Sequence, residues 1–201
     1  MKIYRQLPAR ISAPGRVALT LLVLLSLLAN ACTRGGKSWR ETSRSSAGLA
    51  PLASEHEEAV VAAYRAKVWG VRGLVADHTW ITTKEEGAAA YTVYEVIGWR
   101  RYQDMSVVRV AEDLPDRRWF GAEPIPMVDI RGPEAGALIA KIKDAVARYP
   151  YPKSYRVYPG PNSNTFTSWI ASEVPELGLE LPFRAIGKNY PFDRPELDEA
   201  N

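Results

Sequence analysis

Residues 71–82, 91–99, 105–110 and 119–130 are four successive stretches rich in aromatic and β-branched side chains. The breaks between them hold Gly87, Asp104 and Pro115, and are shorter than the dozen or more residues that a parallel crossover needs. That spacing constrains the fold more than any other feature. It predicts an antiparallel sheet with neighbouring strands paired in chain order.

Helical patterns flank the stretch. Ser54 and Glu57 read as a capping box, with Val60, Val61, Tyr64 and Val68 behind them on one face. Arg65 and Lys67 suit a helix C-terminus, and Gly70 would close a helix over 54–68. Pro133 and Glu134 open a second helix with Leu138, Ile139, Ile142 and Val146 as its stripe, stopped by Pro150. Residues 153–158 read as one more short strand, and Pro159-Gly160-Pro161-Asn162 as a tight turn. Phe166, Trp169, Ile170 and Val174 mark a third helix, ended by Pro175. The expected architecture is α+β, an antiparallel sheet of about five strands packed with about three helices.

The first 31 residues read as a signal peptide. Lys2, Arg5, Arg10 and Arg16 give a positive leader without acids, an apolar run follows over 17–28, and Ala29-Asn30-Ala31 precedes Cys32. The run is shorter than the roughly 20 residues that cross a bilayer. Cys32 is the only cysteine in the chain, and it stands where a lipid anchor is attached. Leu28 lies one place earlier than the usual lipoprotein leucine, and Ala29-Asn30-Ala31 also fits an ordinary secretory cut. Either reading exports the chain to the periplasmic side of a bacterial envelope. Residues 32–52, rich in Ser, Arg, Gly and Thr, read as anchor and flexible tether, and 53–201 as a single α+β domain.

The leader holds four of the 26 basic side chains, so the remainder carries 22 against 23 acids. The basic character of the whole chain therefore belongs to the leader, and no polycationic patch argues for nucleic acid. No metal-ligand cluster, phosphate loop or nucleotide fingerprint appears, so no cofactor is expected.

Candidate chemistry gathers around Ser163, a hydroxyl at the start of the third helix, where backbone N–H groups and the helix dipole favour a developing anion. A serine nucleophile needs a base. His78 lies in a predicted strand on one face with Trp80, and Glu95 is the one charged member of a face shared with Tyr91, Val93 and Ile97 on the next strand. Ser163, His78 and Glu95 thus form a candidate nucleophile, base and orienter. The plainer alternatives are that Ser163 or Asn162 caps its helix, that His78 is a bonded core residue, and that Glu95 pairs with Arg100 or Arg109. Asn162, Asn164, Trp80, Tyr158 and Trp169 are the candidate binding residues beside them, with Tyr149, Tyr151 and Tyr155 nearby. Flat aromatic faces suit sugar rings or peptides, and core packing is their ordinary role.

Several blocks carry a family resemblance: Trp39-Arg40, residues 46–51, His78-Thr79-Trp80-Ile81, residues 94–100, Trp119-Phe120-Gly121, residues 159–166 and Ala185-Ile186-Gly187-Lys188. They resemble a bacterial domain-of-unknown-function family numbered thirty-seven-fifty, whose name implies no activity. Asn189 stands where that pattern carries an acid. A strand histidine, a polar residue on the next strand and Asn162-Ser163-Asn164-Thr165-Phe166 opening a helix are also similar to circularly permuted papain-like proteins, the NlpC-type peptidases and lecithin retinol acyltransferase-like enzymes. That likeness implies a cysteine at 163, with His78 and Glu95 in the matching roles. Ser163 is the departure, because a hydroxyl lacks the thiolate fraction and nucleophilicity of a thiol. Two functions follow as expectations. One is a serine-version hydrolase or acyltransferase on an amide or ester of cell-wall peptide or lipid. The other is a non-catalytic cell-wall or peptide binding module on a retired papain-like fold. A lipid anchor at Cys32 would make the membrane a further partner.

Overall fold

Strand β1, Val60–Lys67, lies inside the sheet, paired on both sides, where the sequence predicts the first helix. Every residue from Ala59 to Tyr64 is buried. A strand covered on both faces loses the alternation that marks a half-buried one, and a run of Val and Ala then mimics helical spacing. The Ser54–Glu57 pattern caps no helix: Ala53–Glu55 is only a 3-10 turn, and it has no side-chain cap.

The computed structural model describes residues 38–193; the leader, Cys32 and the start of the expected tether lie outside the described residues. Residues 38–41 form a turn of their own, in which the Glu41 N–H donates to the Ser38 carbonyl. The unit from Thr42 onward is α+β. Its strands β1, β2 (Asp77–Lys84), β3 (Thr92–Val96), β4 (Val108–Glu112) and β5 (Ile125–Arg131) lie in the order β4-β3-β2-β1-β5, antiparallel throughout. Three of the four predicted strands, β2, β3 and β4, therefore pair in chain order as expected; the fourth, β5, begins only at Ile125 and lies on the free side of β1 rather than beside β4.

Helix α1, Pro133–Ala147, buries Ala135, Leu138, Ile139, Ile142 and Ala145, a helical stripe facing the sheet. Helix α2, Ser163–Glu173, adds Phe166 and Ile170. Both pack on one face of the sheet with Val61, Ala63, Ile81 and Tyr94. Each large apolar side chain buried there contributes roughly 1.5–3 kcal/mol. The opposite face carries Tyr64, Trp80, Val93 and Ile97 and is covered by Trp119.

Residues 153–158 are not a strand. Pro152 and Pro159 flank the segment and can donate to no ladder at either end, and it runs as a loop against the β3–β4 connection. Ser106 Oγ and the Val107 N–H both donate to Pro152 O, and Arg101 donates to Tyr155 O. The Tyr155 ring lies so close to Gly98 that a Cβ there would sit 2.4–2.7 Å from three of its atoms. Gly98→Ala is therefore expected to cost about 1–3 kcal/mol, read as a lower thermal midpoint; an unchanged midpoint would mean that the loop shifts freely.

The segment 43–52, read from composition as tether, is stitched to the domain. Buried Asp116 accepts from Ser46 Oγ and from the Leu49 and Ala50 N–H groups, and Tyr91 Oη donates to Pro51 O. A buried carboxylate needs such donors, and Ser46 with the turn behind it supplies them.

Candidate functional site

Glu95 is fully buried in β3, and an isolated carboxylate there would be strongly disfavoured. Its neighbours explain its charge. Arg117 Nη2 donates to Oε1 at 2.5 Å, Arg109 Nη1 donates to the same oxygen at 2.8 Å, and His78 Nε2 lies 3.1 Å from Oε2. Register sets the geometry, because Arg109 pairs directly opposite Glu95 on β4. Burial pushes the Glu95 carboxyl up, but the His78 hydrogen bond, Arg117 and Arg109 outweigh it and hold the group at about 2.

His78 is 4% exposed. Burial lowers its pKa below the usual imidazole value; the hydrogen bond and charge of Glu95 oppose that fall, and Arg117 adds to it. The ring is thus neutral at neutral pH and donates its Nε2 proton to the ionised Glu95, so Nδ1 is the acceptor nitrogen. Trp119 stacks on the imidazole with centroids 3.7 Å apart and planes 12° from parallel. The Arg117 guanidinium lies 5.8 Å from the Trp80 ring centroid and 5.6 Å from that of Trp119, within cation–π range. His78, Glu95, Arg117 and Trp119 form one closed unit.

Ser163 is the first residue of α2, and Asn162 is its N-cap. Asn162 Oδ1 accepts the Asn164 and Thr165 N–H groups, and the Thr165 hydroxyl accepts the Asn162 N–H, completing a capping box. The amide of Asn162 donates to Val157 O and Ile186 O, and that of Asn164 to Asp77 O and Ile186 O. Thr79 Oγ1 donates to Asn164 Oδ1 at 2.9 Å and lies 3.4 Å from the Ser163 carbonyl. Thr79 and His78 are adjacent on β2, so their side chains leave opposite faces of the sheet. The start of α2 meets the Thr79 face; His78 belongs to the other, with Trp80 and Glu95. The Ser163 hydroxyl makes no hydrogen bond among the described residues, to His78 or to any other. The structure joins His78 to Glu95 and leaves Ser163 outside the pair.

The remaining sequence-derived candidates fall in three settings. Trp80 is fully buried and donates its indole N–H to Pro115 O. Trp169 is half-buried, donates to Ala145 O and meets Phe192 edge to face. Tyr158 is exposed on the loop before α2. Tyr149 and Tyr151 are core residues. Arg117 and Trp119 complete the His78–Glu95 unit from the β4–β5 connection; sequence reasoning gave Trp119 to a strand over 119–130, which begins only at Ile125, and passed over Arg117, whose signal was the arginine pair before the Trp119-Phe120-Gly121 block.

Among the described residues no group of three or more His, Cys, Asp and Glu side chains is placed to hold a metal ion, and no helix is long and apolar enough to cross a membrane. A shallow groove of about 420 Å³ lies between residues 50–53, Ala90, Tyr91 and Leu114, away from His78.

No curated protein and no solved structure matches the chain. A family model does, over residues 58–190, a span that holds all five strands, both helices and the whole of the His78–Glu95–Arg117–Trp119 unit. The chain belongs to the family described as "Protein of unknown function (DUF3750)".

Proposed function

We propose that this chain is an exported envelope protein whose α+β domain binds an envelope component without turning it over. One observation carries the reading: the Ser163 hydroxyl and the His78 ring share no hydrogen bond, and the helix that Ser163 opens packs on the sheet face opposite the one His78 leaves. A serine nucleophile needs its base within hydrogen-bond reach. His78 has the protonation state of a base and Glu95 that of an orienter, but no hydroxyl is hydrogen-bonded to the imidazole among the described residues. Asn162-Ser163-Asn164-Thr165-Phe166 then persists as the architectural remnant of a papain-like helix start.

The export half of the proposal rests on the leader and on Cys32. Labelled fatty acid is expected to enter the chain at Cys32 and to be lost in Cys32→Ser, while the protein stays outside the cytoplasm; a cytoplasmic chain would overturn export. For the binding half, Ser163→Ala is expected to change neither fold nor turnover of short-chain esters and cell-wall peptides. Hydrolysis abolished by Ser163→Ala, with an unaltered unfolding midpoint, would restore the hydrolase.

A further inference from the structure

Four connections meet at one end of the sheet. Lys67 pairs with Asp77, placing 68–76 there; Val96 pairs with Val108, placing 97–107 beside it. Hydrogen bonds bring the other two. Arg184 donates to Gly73 O and Leu74 O, Asn162 ties Val157 O to Ile186 O, and Arg101 reaches Tyr155 O. Residues 152–162 and 181–188 therefore share that end.

The end is apolar at its tips. Phe183 is 82% exposed, Leu74 and Tyr158 77%, Val71 69% and Val75 65%, with Trp69 beside them at 43%. Single exposed apolar residues are ordinary, but a group of this size on three adjoining loops marks an interaction surface. The same end is also cationic. The four segments hold seven lysines and arginines against a single acid, Asp104. Arg72 and Arg156 are exposed among them. Arg72 and Arg101 both favour ionisation of the Tyr155 phenol, against a burial that raises its pKa, which places both guanidinium groups near that ring.

The far end has the opposite sign. Val60 pairs with Lys84, so 52–59 and 85–91 lie there, and they hold Glu55, Glu57, Glu58, Glu85 and Glu86 with no lysine or arginine. The loops are thus polarised along the strands: apolar and positive at one end, where Asp104 and the Arg118-paired Glu123 are the acids, and acidic at the other, where Arg131 and the Glu85-paired Lys143 are the cations.

We propose that the loop end of the sheet, built around Trp69, Leu74, Tyr158 and Phe183, docks on the surface of an anionic phospholipid bilayer. The proposal rests on the binding-module reading and names its partner. Aromatic and aliphatic tips enter the headgroup boundary, arginines meet the lipid phosphates, and the acidic end points away from a surface that repels it. The mature chain is near neutral overall, so orientation comes from this separation of charge rather than from net charge. A glycan or a peptidoglycan surface would need neither the aliphatic tips nor the charge asymmetry.

The test uses residues 32–201, which keep every contact described above, with Cys32→Ser so that no acyl chain contributes. The protein is sedimented with vesicles of phosphatidylglycerol and phosphatidylcholine in equal parts, and with phosphatidylcholine alone. It is expected to pellet with the anionic vesicles and to be released by high salt. Leu74→Asp with Phe183→Asp, and separately Arg72→Glu with Arg156→Glu, are each expected to weaken binding at least about tenfold, while Leu52→Asp, 64% exposed on wild type at the other end, leaves it unchanged. Circular dichroism confirms that each variant is folded. No pelleting with anionic vesicles, equal binding by all variants, or retention on isolated peptidoglycan lost in the same variants would overturn the proposal. Ser163-dependent hydrolysis would instead overturn the binding-module reading, whatever the vesicles show.

Discussion

Glu95→Gln is expected to destabilise the domain by about 3–5 kcal/mol, read as a lower urea midpoint at constant slope. The substitution keeps volume and shape and removes only the charge. Arg117, whose side chain is 7% exposed, then loses its buried anionic partner and keeps only the more distant, partly exposed Asp113 at 3.6 Å, which it shares with Arg109. Breaking one member of a buried ion pair is costly because the other charge is stranded. A loss below about 1 kcal/mol would mean that water reaches Arg117 and that the unit is less closed than its packing shows.

The same unit sets the response to acid. The Glu95 carboxyl sits at about 2 in the folded chain against an ordinary value of 4.5. A depressed carboxylate contributes stability that is fully present above pH ~4.5 and lost as pH falls toward 2, on the order of 3 kcal/mol in all. His78 acts in the same sense. Its folded pKa lies below 6.5, so the unfolded chain takes up the proton first as pH drops, and stability declines below about 6.5. Wild type is expected to lose stability in two stages, below about 6.5 and again below about 4.5. Glu95→Gln removes the Glu95 carboxyl's part of the lower stage. A pH profile identical in both proteins would place the acid response elsewhere.

What could be read from the sequence follows from which elements keep a pattern when packed. The meander from β2 to β4 was legible because its breaks are short, and α1 because one face alone is buried and Pro133 marks its start. Strand β1 was not, since burial on both faces erases a period of two. The segment 153–158 was misread through its Tyr and Val content, although Pro152 and Pro159 close it off on both sides. Within the candidate site, alternation along β2 and β3 correctly placed His78 and Glu95 on one sheet face. Linking Ser163 to them required knowing which face α2 covers. No local pattern holds that information, because it is decided by the path of the chain from β5 through α1.

Asn162→Ala is expected to cost about 2–4 kcal/mol and Ser163→Ala less than about 0.5 kcal/mol, measured by urea unfolding. The asymmetry follows from what each side chain touches. Asn162 Oδ1 caps two N–H groups of α2, an interaction worth about 1 kcal/mol, and its amide satisfies Val157 O, a carbonyl with no other bond to replace it among the described residues. Ile186 O keeps its bond from Asn164 and suffers less. Gly187 is shaped to this amide: its φ is +94°, and a Cβ there would fall 2.3 Å from Asn162 Nδ2. Ser163 holds the structure only through its backbone, which alanine supplies equally well. A large cost at Ser163 and a small one at Asn162 would mean that the hydroxyl engages a partner in solution, and the nucleophile would return to consideration. The expected order assigns the polar run 162–165 to architecture, as the clasp that fixes α2 to β2 and holds the 152–162 and 181–188 loops at the same end of the sheet.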